Sequence, residues 1–207
     1  MNRFVKYGML GLAVVIILVN SINIRNLEEV RSIANEGDFD AAVYAQNFWE
    51  QQRSSSLEQG VNIKRLLGSI EQNFDSTAAR GEQVGISDYR YFMVRGAGTI
   101  KEILEDDVVV GLNNSHHIKL ATDFIFGNTV RNAVPQIAIS EFVNMTQFNQ
   151  VSIQINKLVQ KNIVPTLKEQ AQVGGSLSFA GAISINVESR ELDSLRVIPL
   201  RINIGEE

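Results

Sequence analysis

Lys119-Leu-Ala-Thr-Asp-Phe-Ile-Phe-Gly-Asn-Thr-Val-Arg-Asn-Ala133 marks the point where the pattern of the chain changes. Up to Phe126 the period is two. Ile118, Leu120, Thr122, Phe124 and Phe126 alternate with Lys119, Ala121 and Asp123, which predicts a strand over 118–126 with one apolar face. After Gly127 that alternation stops. From Ser140 the apolar residues Phe142, Met145, Phe148, Val151, Ile155, Leu158, Val159 and Ile163 recur at helical spacing, continuing to Leu167 and Ala171. Pro165 removes one backbone hydrogen bond and predicts a kink or break near Lys161; Gly174-Gly175 ends the element.

On either side the period is again two. Upstream, Tyr89–Ile103 reads as a long strand whose Gly96 and Gly98 predict a bulge or sharp coiling. Glu105-Asp-Asp107 is a turn, Val108–Leu112 a second strand and Asn113-Asn-Ser115 another turn. Downstream, Leu177–Val187 and Leu195–Ile204 are a fourth and a fifth strand joined by the charged loop Glu188–Ser194. Pro199 predicts an edge or a bulge within the last strand.

Three strands, a helix and two strands is the order of an OB-type barrel, which binds on strands two and three and with the loops joining strands one–two and four–five. Those loops, 104–107 and 188–194, are both acidic here. The alternative is an open α+β sheet with a covering helix. Before the barrel, Asp38–Glu50 reads as a helix capped by Asp38 or Asp40, with Trp49 as its core anchor. Gln51–Ser56 reads as a polar hinge, Leu57–Phe74 as a second helix, and Asp75-Ser-Thr77 as the cap of a third. The fold class is α+β in three parts: a membrane anchor over residues 1–26, a helical segment over 27–87 and an OB-like barrel over 88–207.

The N-terminal part has an unbroken apolar run from Tyr7 to Val19 behind Arg3 and Lys6. Residues 4–24 are long enough to cross ~30 Å of hydrocarbon as a helix. Val19-Asn20-Ser21 is a poor small-residue cleavage site, which favours a retained inner-membrane anchor over a cleaved signal, with the body facing the periplasm. The 44% apolar and 20% charged content is that of a folded chain. Residues 1–26 hold three cations and no acid, so the net charge of −4 less those three leaves the body at −7. A body of that sign lacks the basic footprint of a nucleic-acid binder. The sequence has no cysteine, which excludes disulfides, thiolate metal sites and a cysteine nucleophile.

Chemistry-bearing residues are sparse, and nothing in the pattern calls for a cofactor or metal. His116 and His117 are adjacent on a strand, so they point to opposite faces and do not share a metal. Gly96-Ala-Gly98 is followed by neither a third glycine nor a helix, so it is no dinucleotide fingerprint. The remaining candidate is the central stretch itself, with Arg131, Asn128, Asn132 and Asp123 as ligand-binding residues. An arginine held by a turn grips a carboxylate or phosphate bidentately; alternatively Arg131 ties down its own loop by bonding carbonyls.

Phe39-Asp-Ala-Ala-Val-Tyr-Ala-Gln-Asn-Phe-Trp49, Val94-Arg-Gly-Ala-Gly-Thr-Ile100, Phe126-Gly-Asn-Thr-Val-Arg-Asn-Ala133, Glu141-Phe-Val-Asn-Met-Thr-Gln-Phe-Asn149 and Leu195-Arg-Val-Ile-Pro-Leu200 together resemble the bacterial predicted periplasmic lipoproteins grouped as domain of unknown function 2291. The resemblance implies an exported, membrane-tethered envelope protein, in some bacteria encoded near sugar-uptake transporters. Two departures stand out. Ser21 occupies the place of the acylated cysteine of many relatives, so the resemblance implies tethering by the retained helix. Asn132 stands where many relatives have aspartate, which suits a binding or structural role better than catalysis. The expected function is an accessory or binding protein recognising a small molecule, a transporter or an envelope partner. The alternatives are an envelope enzyme acting on a sugar or small anion with Arg131 and Asp123, and a structural envelope protein.

Overall fold

The computed structural model describes residues 39–113, 116–192 and 195–205; the expected anchor over residues 4–24 lies outside them. Among the described residues no helix is long and apolar enough to cross a membrane. Residues 40–207 form one compact unit.

Five long strands close on themselves. β2 (Tyr89–Ile103) pairs antiparallel with β3 (Asp107–Gly111), β3 with β4 (His117–Ala121), β4 runs parallel to β6 (Arg196–Ile204), β6 pairs antiparallel with β5 (Ser176–Asn186), and β5 returns to β2. A two-residue strand β1 (Val61–Asn62) adds to β2 in parallel. Closure leaves no long open edge. The α+β barrel predicted from element order is therefore the fold. The inward rows, including Phe92, Val94, Ile100, Val108, Val110, Ile118, Leu120, Leu177, Phe179, Ile183, Ile185 and Val197, form the core.

The two glycines of β2 have separate reasons. A Cβ on Gly96 would come within 2.6 Å of the Ile63 side chain, and one on Gly98 would collide with the Gly111 carbonyl on β3. The register slip itself lies between Ile100 and Glu102, beginning two residues beyond Gly98. Pro199 sits where β5 and β6 shift register, pairing with Gly181, which is the predicted bulge.

The helices differ from expectation in their joints. α1 (Ala41–Asn47), capped by Asp40, runs into a π-helical turn over Phe48–Gln52 and then α2 (Arg53–Glu58). The expected hinge at 51–56 is thus helical. The widened turn lets the consecutive Phe48 and Trp49 both turn inward. The helix expected over 57–74 is broken at Gly60. Its second half, α3 (Ile63–Gln72), is capped by Asn62 and buries Ile63, Leu66, Leu67 and Ile70 in the barrel core. Each such side chain contributes roughly 1.5–3 kcal/mol of burial. Asn73, not the Asp75 stretch, caps α4 (Phe74–Ala78).

The third barrel strand stops at Ala121, not at residue 126. Phe124 adopts a left-handed φ of 46°, which no strand continues through, and Phe124 and Phe126 are exposed. An unexpected short helix α5 (Thr129–Asn132) follows, then a 3-10 turn at Ile139–Glu141. The long helix α6 (Met145–Asn162) starts later than the predicted Ser140, at a point set by Asn144, whose side chain accepts from the Gln147 N–H. As Pro165 requires, the helix breaks at Ile163 and resumes as α7 (Val164–Gln170).

Candidate functional site: the Arg131 turn and an arginine cleft

α5 presents Arg131 to α6, and the contact is closed. Arg131 is 2% exposed. Its Nη1 donates to the Phe148 carbonyl at 2.8 Å and to Asn149 Oδ1 at 3.0 Å. Nε and Nη2 both donate to Asn132 Oδ1, at 3.0 and 2.9 Å. The guanidinium lies 3.5 Å from the centre of the Phe148 ring. Phe148 in turn meets Phe142, which meets Tyr44 of α1. Tyr44 donates to Glu141 Oε2 at 2.9 Å, and burial, followed by that carboxylate, raises its phenol well above the usual range. Burial lowers the Arg131 guanidinium to about 10, with the neighbouring Tyr91 acting in the opposite sense. It therefore stays charged at neutral pH, and its bonds are charge-assisted.

Of the four residues singled out in the sequence, the structure brings Arg131 and Asn132 together. Asn128 is exposed, and its carbonyl accepts from the Asn132 N–H. The exposed Asp123 uses Oδ1 to accept from the Phe124 N–H. Among the described residues no bond joins either side chain to Arg131. The loop between them is held from both sides: Asn156 and Gln160 of α6 donate to the Gly127 and Ile125 carbonyls. Arg196 bonds Asp107 Oδ1 at 2.6 Å together with the carbonyls of Asp106, Asp123 and Phe124. The Arg196 clamp was not foreseen in the sequence, because its partners, at 106–107 and 123–124, lie far from it along the chain. His116 is bonded to Glu71 of α3 at 2.7 Å, and among the described residues no group of carboxylates and histidines could hold a metal.

A second site opens on the outer face of β2, β5 and β6, away from strands β3 and β4. It is a cleft of about 500 Å³ lined by Asn62, Arg95, Ala97, Ser178, Arg201 and Asn203, together with Gly96 and Phe179. Register explains it. Arg95 and Arg201 both pair with Ala180, one from each side, so the two arginines stand on one face with a methyl group between them. The next row is Ala97, Ser178 and Asn203. Two strand steps of ~4.8 Å separate the arginine backbones. Arg95 spends only Nε, on the Gly60 carbonyl at 3.1 Å. Among the described residues neither arginine is paired with a carboxylate. Beside them Arg53 donates to the Leu200 carbonyl at 2.6 Å and lies over Trp49. Burial first and the charge of Arg201 second lower its affinity for its proton.

The fold has a solved counterpart. A crystal structure of an OB-fold protein from Thermotoga maritima superposes with a TM-score of 0.72 at 26% identity, covering 81% of this chain and 99% of that one. No curated protein sequence matches. The family described as predicted periplasmic lipoprotein, DUF2291, matches residues 12–203, nearly the whole chain, and to that family this chain belongs.

Proposed function

We propose that this protein is a membrane-tethered binding module of the bacterial envelope. Residues 4–24 form the inner-membrane anchor, the body faces the periplasm, and a ligand is taken up on the outer barrel face. The observation that carries this reading is the cleft. It is open and lined by hydrogen-bond donors, and its polar lining residues are arginines, asparagines and a serine with no carboxylate, histidine or other proton-transfer group among them. The reading therefore assigns the protein recognition and not catalysis. Arg131 and Asn132 lie outside the cleft and have a structural part in this reading: they fix α5 on α6.

Two measurements test this. Protease shaving of spheroplasts should degrade the body, and an alkaline carbonate wash should leave the chain in the membrane; release by carbonate would contradict the tether. For binding, thermal unfolding of the full chain in detergent is followed against a panel of neutral sugars and small anions. The reading expects at least one class to stabilise wild type and not Arg201→Ala. No stabilisation by either class would contradict it. The same panel tests the link to sugar uptake that the family resemblance implies.

A further inference from the structure

The cleft also identifies the chemistry of its ligand. We propose that it is a phosphate-type oxyanion, carried by a soluble phosphoester or by a lipid headgroup, and gripped between Arg95 and Arg201. This rests on the reading of the cleft as the binding surface.

Four observations point the same way. First, the body carries a net −7 outside residues 1–26, that is −4 less the three cations of that segment, yet this face collects Arg53, Arg95 and Arg201 with no carboxylate in the cleft lining. Clustered cations repel one another, so their assembly without an internal counter-ion leaves a field that an oxyanion satisfies. Second, the two arginines share one face. The register places Arg95 and Arg201 on either side of Ala180, and the small Ala97 and Ser178 line the next row of the cleft. Arg95 has both Nη groups left to donate, since only its Nε is engaged. The terminal oxygens of a phosphate ester, three in a monoester and two in a diester, can accept from an arginine on each flank.

Third, the neutral donors are oriented by bonds already made. Asn62 Oδ1 accepts from the Lys64 and Arg65 N–H groups as the cap of α3, so its amide nitrogen is the group left over, and it is a donor. The ten-residue α3 thereby begins at the cleft wall with its positive dipole end. Ser178 and Asn203 lie side by side across β5 and β6 as further donors. Fourth, the positive character continues. A neighbouring depression of about 380 Å³ meets the cleft at Ala97 and carries Lys64 and Lys101. A phosphate bound to a larger polar body fits this two-part surface. A neutral sugar would leave the arginines unpaired.

The test uses the full chain in phosphatidylcholine nanodiscs, with inorganic phosphate as the probe and glucose as the neutral control. Calorimetry should give phosphate binding that weakens as salt rises. Arg201→Ala and Arg95→Ala should each weaken it by about tenfold or more, with Arg201→Lys intermediate. Replacing the disc lipid by phosphatidylglycerol separates the two sources. Competition that weakens phosphate binding about tenfold assigns the cleft to a headgroup; unchanged binding assigns it to a soluble phosphoester. Absent phosphate binding, or binding indifferent to both alanine variants, overturns the proposal. Glucose binding lost in Arg201→Ala, without any phosphate binding, would overturn the oxyanion while leaving the cleft as the binding surface. Silence toward every probe and every sugar would remove both.

Discussion

Arg131 on α5 and Arg201 on β6 belong to one fold, and they are opposites. Arg131 is buried, spends its guanidinium on Phe148, Asn149 and Asn132, and rests on an aromatic ring. Arg201 is exposed, and no hydrogen bond or ion pair holds it among the described residues. A buried arginine bonded through all three of its nitrogens reports how the fold is held, whereas an exposed one without a partner is where a ligand is to be sought. A polar residue that stands out among turn-forming neighbours is thus a poor guide to function until its donors have been counted.

The contrast is open to attack at four points. Arg131→Ala removes a buried cation and leaves the Phe148 carbonyl and two amides short of partners. Its unfolding free energy should fall by about 3 kcal/mol or more, read by urea denaturation, and a loss under about 1 kcal/mol would dissolve the comparison. Because its folded value of about 10 lies below its unfolded value, the unfolded chain binds more protons only between the two. Any pH dependence from Arg131 should therefore be stability rising with pH in that alkaline window, and none near neutrality. Arg196→Ala frees the loops at 105–107 and 122–124 at a cost of about 1.5 kcal/mol, and hydrogen exchange should quicken at Thr122 and Asp123, whose N–H groups bond the Asp106 carbonyl. Asn144→Ala should cost about 1 kcal/mol through the lost cap of α6, visible as fraying of that helix alone. Arg201→Ala should change stability by less than about 0.5 kcal/mol while removing anion binding.

Element order was legible because strand and helix periods differ: Tyr89–Ile103 coincides with the observed strand, and the break foreseen near Lys161 falls at Ile163, two residues before Pro165. Ends were less legible. The alternation through Phe124 and Phe126 continues past Ala121 although the backbone does not, because Arg196 draws the carbonyls of Asp123 and Phe124 aside. Leu57 and Val61 keep helical spacing across Gly60, where the chain turns into β1. The cleft was not legible at all. Alternation tells which face a residue takes, but Arg95 and Arg201 meet only through their common partner Ala180, and that register, with its bulge at Pro199, is a property of the closed barrel.

The most direct test of the account measures two properties on two variants side by side: thermal unfolding and phosphate binding for Arg131→Lys and Arg201→Ala in the full chain. The account predicts a lowered Tm with phosphate binding retained for Arg131→Lys, and an unchanged Tm with binding lost for Arg201→Ala. Phosphate binding that survives Arg201→Ala while that variant loses stability would contradict it.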